Sequence, residues 1–300
     1  MELNRRTFLQ ATFFGNIFLC NSIFAKNKAY SAQSGSKLKL SCNLYSFNEP
    51  LRKGEMTLEE VFRFCSDIGF DAVDPTGYYF PGYPDVPTDD FVYETKQKAF
   101  LLGLDISGTG VRTDFSNPDA GKRAADLELV RQWVDVAAKM DAPVLRVFAG
   151  KGVPQGHSER ETMDWAVDGI RQCVEHGQQK GVMIVLQNHN ELLKTVDQVL
   201  YIRQRIASDW LGINLDIGSL RAGDPYEEIA KLAPYAYTWQ IKEKIYRHGQ
   251  EEKPDLVRLM RLIRNADYRG YIPIETLQGD PRVQVPRFLA EVRSALKETE

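Results

Sequence analysis

Histidine and cysteine are scarce in this chain, four of each among 300 residues, and no two cysteines form a CxxC pair. That spacing excludes a disulfide framework and the usual zinc-finger or thioredoxin-type motifs. Positive charge is not in surplus either: 38 Lys and Arg face 41 Asp and Glu, a net charge of -3, so no basic face for nucleic acid is evident. Apolar runs long enough to span a bilayer, about 20 residues, are missing. No strand-like run is followed by a GxGxxG turn into a helix, which counts against a doubly wound dinucleotide fold. What remains is ordinary globular composition, 43% hydrophobic and 26% charged, with material for one large core.

The first 35 residues stand apart. Arg5 and Arg6 precede Thr7-Phe8-Leu9, an apolar run continues to Phe24, and small Ala25 gives way to polar sequence. The pattern resembles a twin-arginine export signal, which implies a periplasmic or otherwise exported protein with no stable membrane insertion once the signal is removed. An uncleaved anchor is the alternative. Cys20 lies in a poor context for lipidation, and past the leader Cys42, Cys65 and Cys173 remain as an odd set.

From residue 36 to 300 strand and helix signals alternate without a linker. Strand-like runs fall at 38–47, 70–76, 104–111, 143–150, 182–190, 211–218, 237–243 and 271–277. Thr57-Leu-Glu-Glu60 is a capping box, and a helix start is expected at Lys194-Thr195. Residues 121 to 140 put Leu127, Val130, Val134 and Ala138 on one helical face, and Asp224-Pro225 opens another helix. Eight strands, each followed by a helix, predict an α/β fold of the (β/α)₈ TIM-barrel kind in a single domain.

Barrels of that kind carry their chemistry at the C-terminal ends of the strands. The stretch VMIVLQNHN ends an apolar run on Gln187 and, at the same strand parity, His189. The next three strands bring Asp216, then Gln240 and Lys242, then Glu275 to the same rim. Asp216 and Glu275 lie in runs apolar on both sides (INLDIG, IPIETL), where an uncompensated carboxylate is costly. A divalent cation between them would offset both charges; an internal hydrogen-bonded network would be the alternative.

The pieces GFDAVDPTGYYFPG, VLRVFAG, VLQNHN, GINLDIGS, TWQIKEK and YIPIETL resemble the xylose isomerase-like barrels known as sugar phosphate isomerases/epimerases. The resemblance spans nearly all of the chain beyond the leader. It implies a carbohydrate substrate and a Mn²⁺, Mg²⁺, Co²⁺ or Zn²⁺ ion held by Glu, Asp, His and Glu at the ends of strands five to eight, the two glutamates serving as acid and base. Asp216 and Glu275 match, whereas Gln187 stands for the glutamate and Gln240 for the histidine. The implied ligand set is therefore Gln187, Asp216, Gln240 and Glu275. Its donors are all oxygens, a set for Mn²⁺ or Mg²⁺, with Ca²⁺ also accommodated and Zn²⁺ disfavoured.

An amide cannot take up a proton, so Glu275 remains as the one base, with Lys242 and His189 as candidate acids or electrophiles. For Lys242 the plainer role is pairing with a neighbouring carboxylate. Arg146, Asp74 and Tyr78 are expected to contact substrate, and the aromatics Tyr45, Phe47, Tyr79, Phe80 and Tyr83 to offer faces for a sugar ring. The expectation is a sugar isomerase or epimerase working next to a carbonyl, with a lyase cleaving 3-keto-glycosides by β-elimination, or an inactive sugar-binding barrel, as alternatives. Relatives that act as endonucleases use histidine-rich, multi-zinc sites, and this chain has no histidine at a matched position. The sequence leaves the oligomeric state open.

Overall fold

Parallel strands buried on both faces read as unbroken apolar runs, and the computed structural model, which describes residues 37–300, turns each of the eight runs into a barrel strand. The strands are β1 (Leu38–Asn43), β2 (Ala72–Asp74), β3 (Asp105–Ile106), β4 (Thr109–Gly110), β5 (Val144–Val147), β6 (Met183–Gln187), β7 (Leu211–Asp216) and β8 (Ala236–Lys242), then a hairpin, β9 (Ile245–Arg247) and β10 (Gln250–Glu252), and finally β11 (Gly270–Glu275). The main sheet runs β3-β2-β1-β11-β8-β7-β6-β5-β4, with every pairing parallel. Its two ends, β3 and β4, are one crossing of the chain, so nine segments make eight strands and the sheet closes. The expected continuous strand over 104–111 is divided because Asp105 and Ile106 pair with β2 while Thr109 and Gly110 pair with β5.

A helix follows each barrel strand. Thr57 and Glu60 form the expected capping box, and Thr195 with Gln198 forms another before Val196–Ile206. Asp224 caps the helix that begins at Pro225. The helix Ala120–Lys139 buries Val130, Trp133, Val134 and Ala137, whereas Leu127 and Ala138 are only partly buried. The apolar stripe is thus rotated from its expected line, because Trp133 fills the space against Phe80 and Tyr83. The hairpin β9–β10 was absent from the strand pattern; His248 and Gly249, both at positive φ (48° and 78°), make its two-residue turn.

Among the described residues no helix is long and apolar enough to cross a membrane. The export signal expected over residues 1–35 lies outside the described residues. The free cysteines Cys42, Cys65 and Cys173 are all buried.

Candidate functional site

Strand register brings the polar rim together. Gln187 pairs with Asn214, Asp216 with Gln240, and Glu275 with Lys242, so four neighbouring strands bring their ends to the mouth, β6 and β7 each stopping level with a residue two before the end of the next strand, and β8 and β11 ending level. A cavity of about 570 Å³ opens there. Tyr78, Arg146, Gln187, His189, Gln240, Lys242 and Glu275 line it, joined by Tyr45 and Tyr83 from the aromatic loops. Gln187 and His189 face the same cavity, as their parity requires.

Asn188, of opposite parity, has another task. Its side chain accepts from the Asp216 N–H at 2.8 Å and donates to the Asp216 carbonyl at 2.9 Å, extending the β6–β7 ladder after the β6 backbone turns away. The polar run after the apolar strand therefore divides between lining the cavity and holding the next strand.

Asp216 is fully buried and surrounded by donors. The Gly218 N–H reaches Oδ1 at 2.9 Å, while Gln187 Nε2 (2.8 Å), Ser219 Oγ (2.8 Å) and Lys242 Nζ (2.9 Å) all donate to Oδ2. Burial opposes ionisation, but Lys242 and these hydrogen bonds outweigh it and hold the carboxyl below its ordinary value. Glu275 differs: Lys242 Nζ lies 3.5 Å from Oε1, and Oε2 is buried without a partner. Burial lifts its pKa above the ordinary glutamate value, with Lys242 opposing only in part. The two carboxylates are thus pushed in opposite directions, Asp216 toward the anion and Glu275 toward holding a proton.

Lys242 connects them. Burial alone would favour the neutral amine, yet the two carboxylates more than offset it and hold the ammonium charged well above neutrality. A lysine in that state is a charge donor and not an imine-forming nucleophile. His189 packs edge-on against Phe148, ring centroids 5.3 Å apart, and burial depresses its pKa. Its Nδ1 lies 3.3 Å from Glu191 Oε2 but outside hydrogen-bonding geometry.

The expected metal ligands meet at this rim, but their donors do not fit a divalent cation. Both Asp216 oxygens are taken, Gln187 turns its N–H toward the carboxylate, and the Gln240 carbonyl oxygen accepts from Asn214 Nδ2 at 3.1 Å. Asp216 dictates the Gln187 orientation, because a flipped amide would set oxygen against oxygen. Among the described residues no group of three or more His, Cys, Asp or Glu could hold a metal ion. In the arrangement seen, hydrogen bonds and the Lys242 ammonium engage Gln187, Asp216 and Gln240 of the expected set, while Glu275 Oε2 is left without a partner.

Two of the expected substrate contacts, Asp74 and Arg146, pair with each other. Asp74 does not line the cavity; it is buried behind Arg146, whose Nη1 donates to its Oδ2 at 2.6 Å, and Asn43 Nδ2 donates to the same oxygen at 2.8 Å. Arg146 lines the cavity, yet it is 5% exposed and its Nη2 is spent on Thr76 at 3.2 Å, so its first role is this ion pair. Tyr78 does face the cavity, edge-on to Tyr83 at 5.3 Å. Phe47 and Phe80 are core residues, 0% and 3% exposed, and offer no face to a ring.

Sequence reasoning missed Arg112 and Asn43, both on the cavity wall. Arg112 pairs with Glu191 and stacks over Phe148 at 4.5 Å. Asn43 ends β1, and its position after an apolar run was the available signal.

A family model described as xylose isomerase-like TIM barrel matches residues 62–295. Solved structures with the same fold include a xylose isomerase-like TIM barrel protein from Mycobacterium smegmatis in complex with magnesium. It is 19% identical over 89% of this chain and 99% of that one, with a TM-score of 0.67. The 3-keto-D-glucoside 4-epimerase of E. coli is 15% identical over 86% and 99%, TM-score 0.69. D-psicose 3-epimerase from Clostridium cellulolyticum H10 is 15% identical over 87% and 98%, TM-score 0.68. Identities this low carry the fold alone. No curated protein sequence matches the chain.

Proposed function

The chain belongs to the xylose isomerase-like TIM barrel family, and on that premise we propose that it isomerises a carbohydrate by moving a proton next to a carbonyl, with Glu275 as the single base. The observation that carries the reading is the contrast at the rim. Both Asp216 oxygens accept hydrogen bonds, while Glu275 Oε2, in a residue lining the cavity, is buried without a partner and its pKa is raised.

The step balances with one base. The C–H bond α to the carbonyl breaks, the proton passes to Glu275 Oε2, and the electron pair delocalises onto the carbonyl oxygen as an enediolate. The same carboxylic acid then returns its proton to the former carbonyl carbon on the same face, while the hydroxyl proton on the neighbouring oxygen passes to the former carbonyl oxygen and leaves the new carbonyl behind. Inverting one carbon would call for a second acid on the opposite face, and Gln187 cannot serve as one. Isomerisation therefore suits this rim better than epimerisation, although relatives with the fold include two sugar epimerases. A lyase acting by β-elimination would use the same first step, but no relative described above supports it.

The twin-arginine-like leader supports an exported enzyme, and phosphorylated sugars are mainly cytoplasmic, so a free or glycosidic sugar is the substrate class proposed. Tyr45, Tyr78 and Tyr83 on the cavity wall suit the apolar side of a sugar ring.

The test is NMR in D₂O with free ketoses and aldoses and with 3-keto-glucosides. Deuterium at the carbon α to the carbonyl together with the aldose–ketose partner is the expected result. Deuterium with released aglycone would replace isomerase by lyase, and binding without exchange would replace both by a sugar-binding barrel.

A further inference from the structure

A buried pair of carboxylates at a barrel mouth needs a positive charge beside it, and in this chain the sequence itself supplies one. Lys242 Nζ lies 2.9 Å from Asp216 Oδ2 and 3.5 Å from Glu275 Oε1, with both carboxylates at most 3% exposed. The lysine belongs to the strand between theirs, β8, hydrogen-bonded to β7 on one side and β11 on the other. Its register partner is Glu275 itself.

The approach of the stem is also prepared. A Cβ added at Gly218 would meet Lys242 Cδ at 2.7 Å, so the absence of a side chain two residues beyond Asp216 gives the lysine its path to the carboxylates. The amides at positions 187 and 240 complete the arrangement. Gln187 donates to Asp216, Gln240 accepts from Asn214, and neither brings a charge that a cation would have to neutralise.

We propose that the Lys242 ammonium is the resident cation of this site, standing where a barrel of this family would hold a divalent metal, so that the protein folds and works without one. For substrate chemistry the proposal rests on the carbonyl-directed reading above. Two of the three ammonium N–H groups face carboxylates, and the third is free to donate to the oxygen that gains charge as the enediolate forms. The proton leaving carbon goes to Glu275 and none leaves Lys242.

The test needs no substrate. Protein stripped with EDTA is titrated with Mn²⁺ and followed by the electron paramagnetic resonance of the free ion and by thermal melting, for the wild type and for Lys242→Met. The wild type is expected to take up no stoichiometric Mn²⁺ at millimolar concentration and to keep its Tm. Lys242→Met, which leaves the two carboxylates facing each other, is expected to gain one Mn²⁺ site that Asp216→Asn then removes. If Lys242→Met folds only when Mn²⁺ is present, that rescue is the same result. One equivalent of Mn²⁺ bound by the wild type and lost in Asp216→Asn overturns the proposal. So does a Lys242→Met variant that neither binds Mn²⁺ nor is rescued by it, since the ammonium would then not be standing in for the ion. Deuterium exchange with sugars, run separately in EDTA, reports on the isomerase reading: a protein that passes the Mn²⁺ test and exchanges nothing loses that reading and keeps the lysine.

Discussion

Lys242 and Glu275 end adjacent parallel strands in direct register, with the ammonium 3.5 Å from one carboxylate oxygen and the other oxygen left without a partner. The arrangement makes Glu275 half-compensated: charged enough to be a base, buried enough to hold a proton well. Its consequences are open to measurement.

The first concerns pH. Glu275 has a raised pKa from burial, so its basic form is lost as pH falls through a value above the ordinary glutamate range of about 4.3. The kcat/KM profile is expected to show an acid limb displaced upward from that value. An acid limb at or below it would show that Glu275 is not the group being titrated.

Asp216 is expected to act in the opposite direction and on stability. Its folded pKa lies below the unfolded value, so its contribution is present above about 3.9 and is lost as pH falls through the folded value. Asp216→Asn should lose about 3–5 kcal/mol near neutral pH, the usual cost of breaking a buried pair, and should show a shallower fall in stability below pH ~4 than the wild type. Urea denaturation across that range measures both.

Arg146 and Asp74 form a second buried pair, 2.6 Å apart across 72 positions of sequence. Removing either partner alone is expected to cost about 3–5 kcal/mol, and the double variant Arg146→Met with Asp74→Leu less than the sum of the two single changes. A double-mutant cycle by denaturant unfolding checks this. Additive losses would mean that the pair contributes through packing and not through its charges.

Gly218→Ala places a methyl group 2.7 Å from Lys242 Cδ and 3.1 Å from the Lys244 carbonyl. Displacing the ammonium should lower kcat by about 10-fold or more, since a shift of 1 Å at a reacting centre is worth up to about 10²-fold. Turnover equal to that of the wild type would show that the stem can move aside without consequence.

The barrel was legible in the sequence because its strands are buried on both faces and its helices carry explicit starts, such as Thr57 with Glu60 and Asp224 with Pro225. Parity carried the reading as far as the rim, giving Gln187 and His189 one direction and Asn188 the other. Partners were not legible. Whether Lys242 meets one carboxylate, two or a substrate depends on strand register and on the space above Gly218, and neither leaves a mark in local sequence. The same holds for Arg146 and Asp74: a structural ion pair was one reading of Arg146, but nothing in local sequence named Asp74 as its counter-ion. The β9–β10 hairpin went unread because its strands have three residues each and its turn is His-Gly, a weaker signal than Asn-Gly.

The most direct test of the account is the rate of deuterium incorporation α to the carbonyl of a sugar substrate for the wild type beside Glu275→Gln, in D₂O with both proteins checked for intact fold by circular dichroism. The expected result is exchange by the wild type and a loss of about 10²- to 10⁴-fold in Glu275→Gln, the range that a positioned general base supplies. Exchange at the wild-type rate in Glu275→Gln would contradict it, and the proton would have to be taken by another group on the rim.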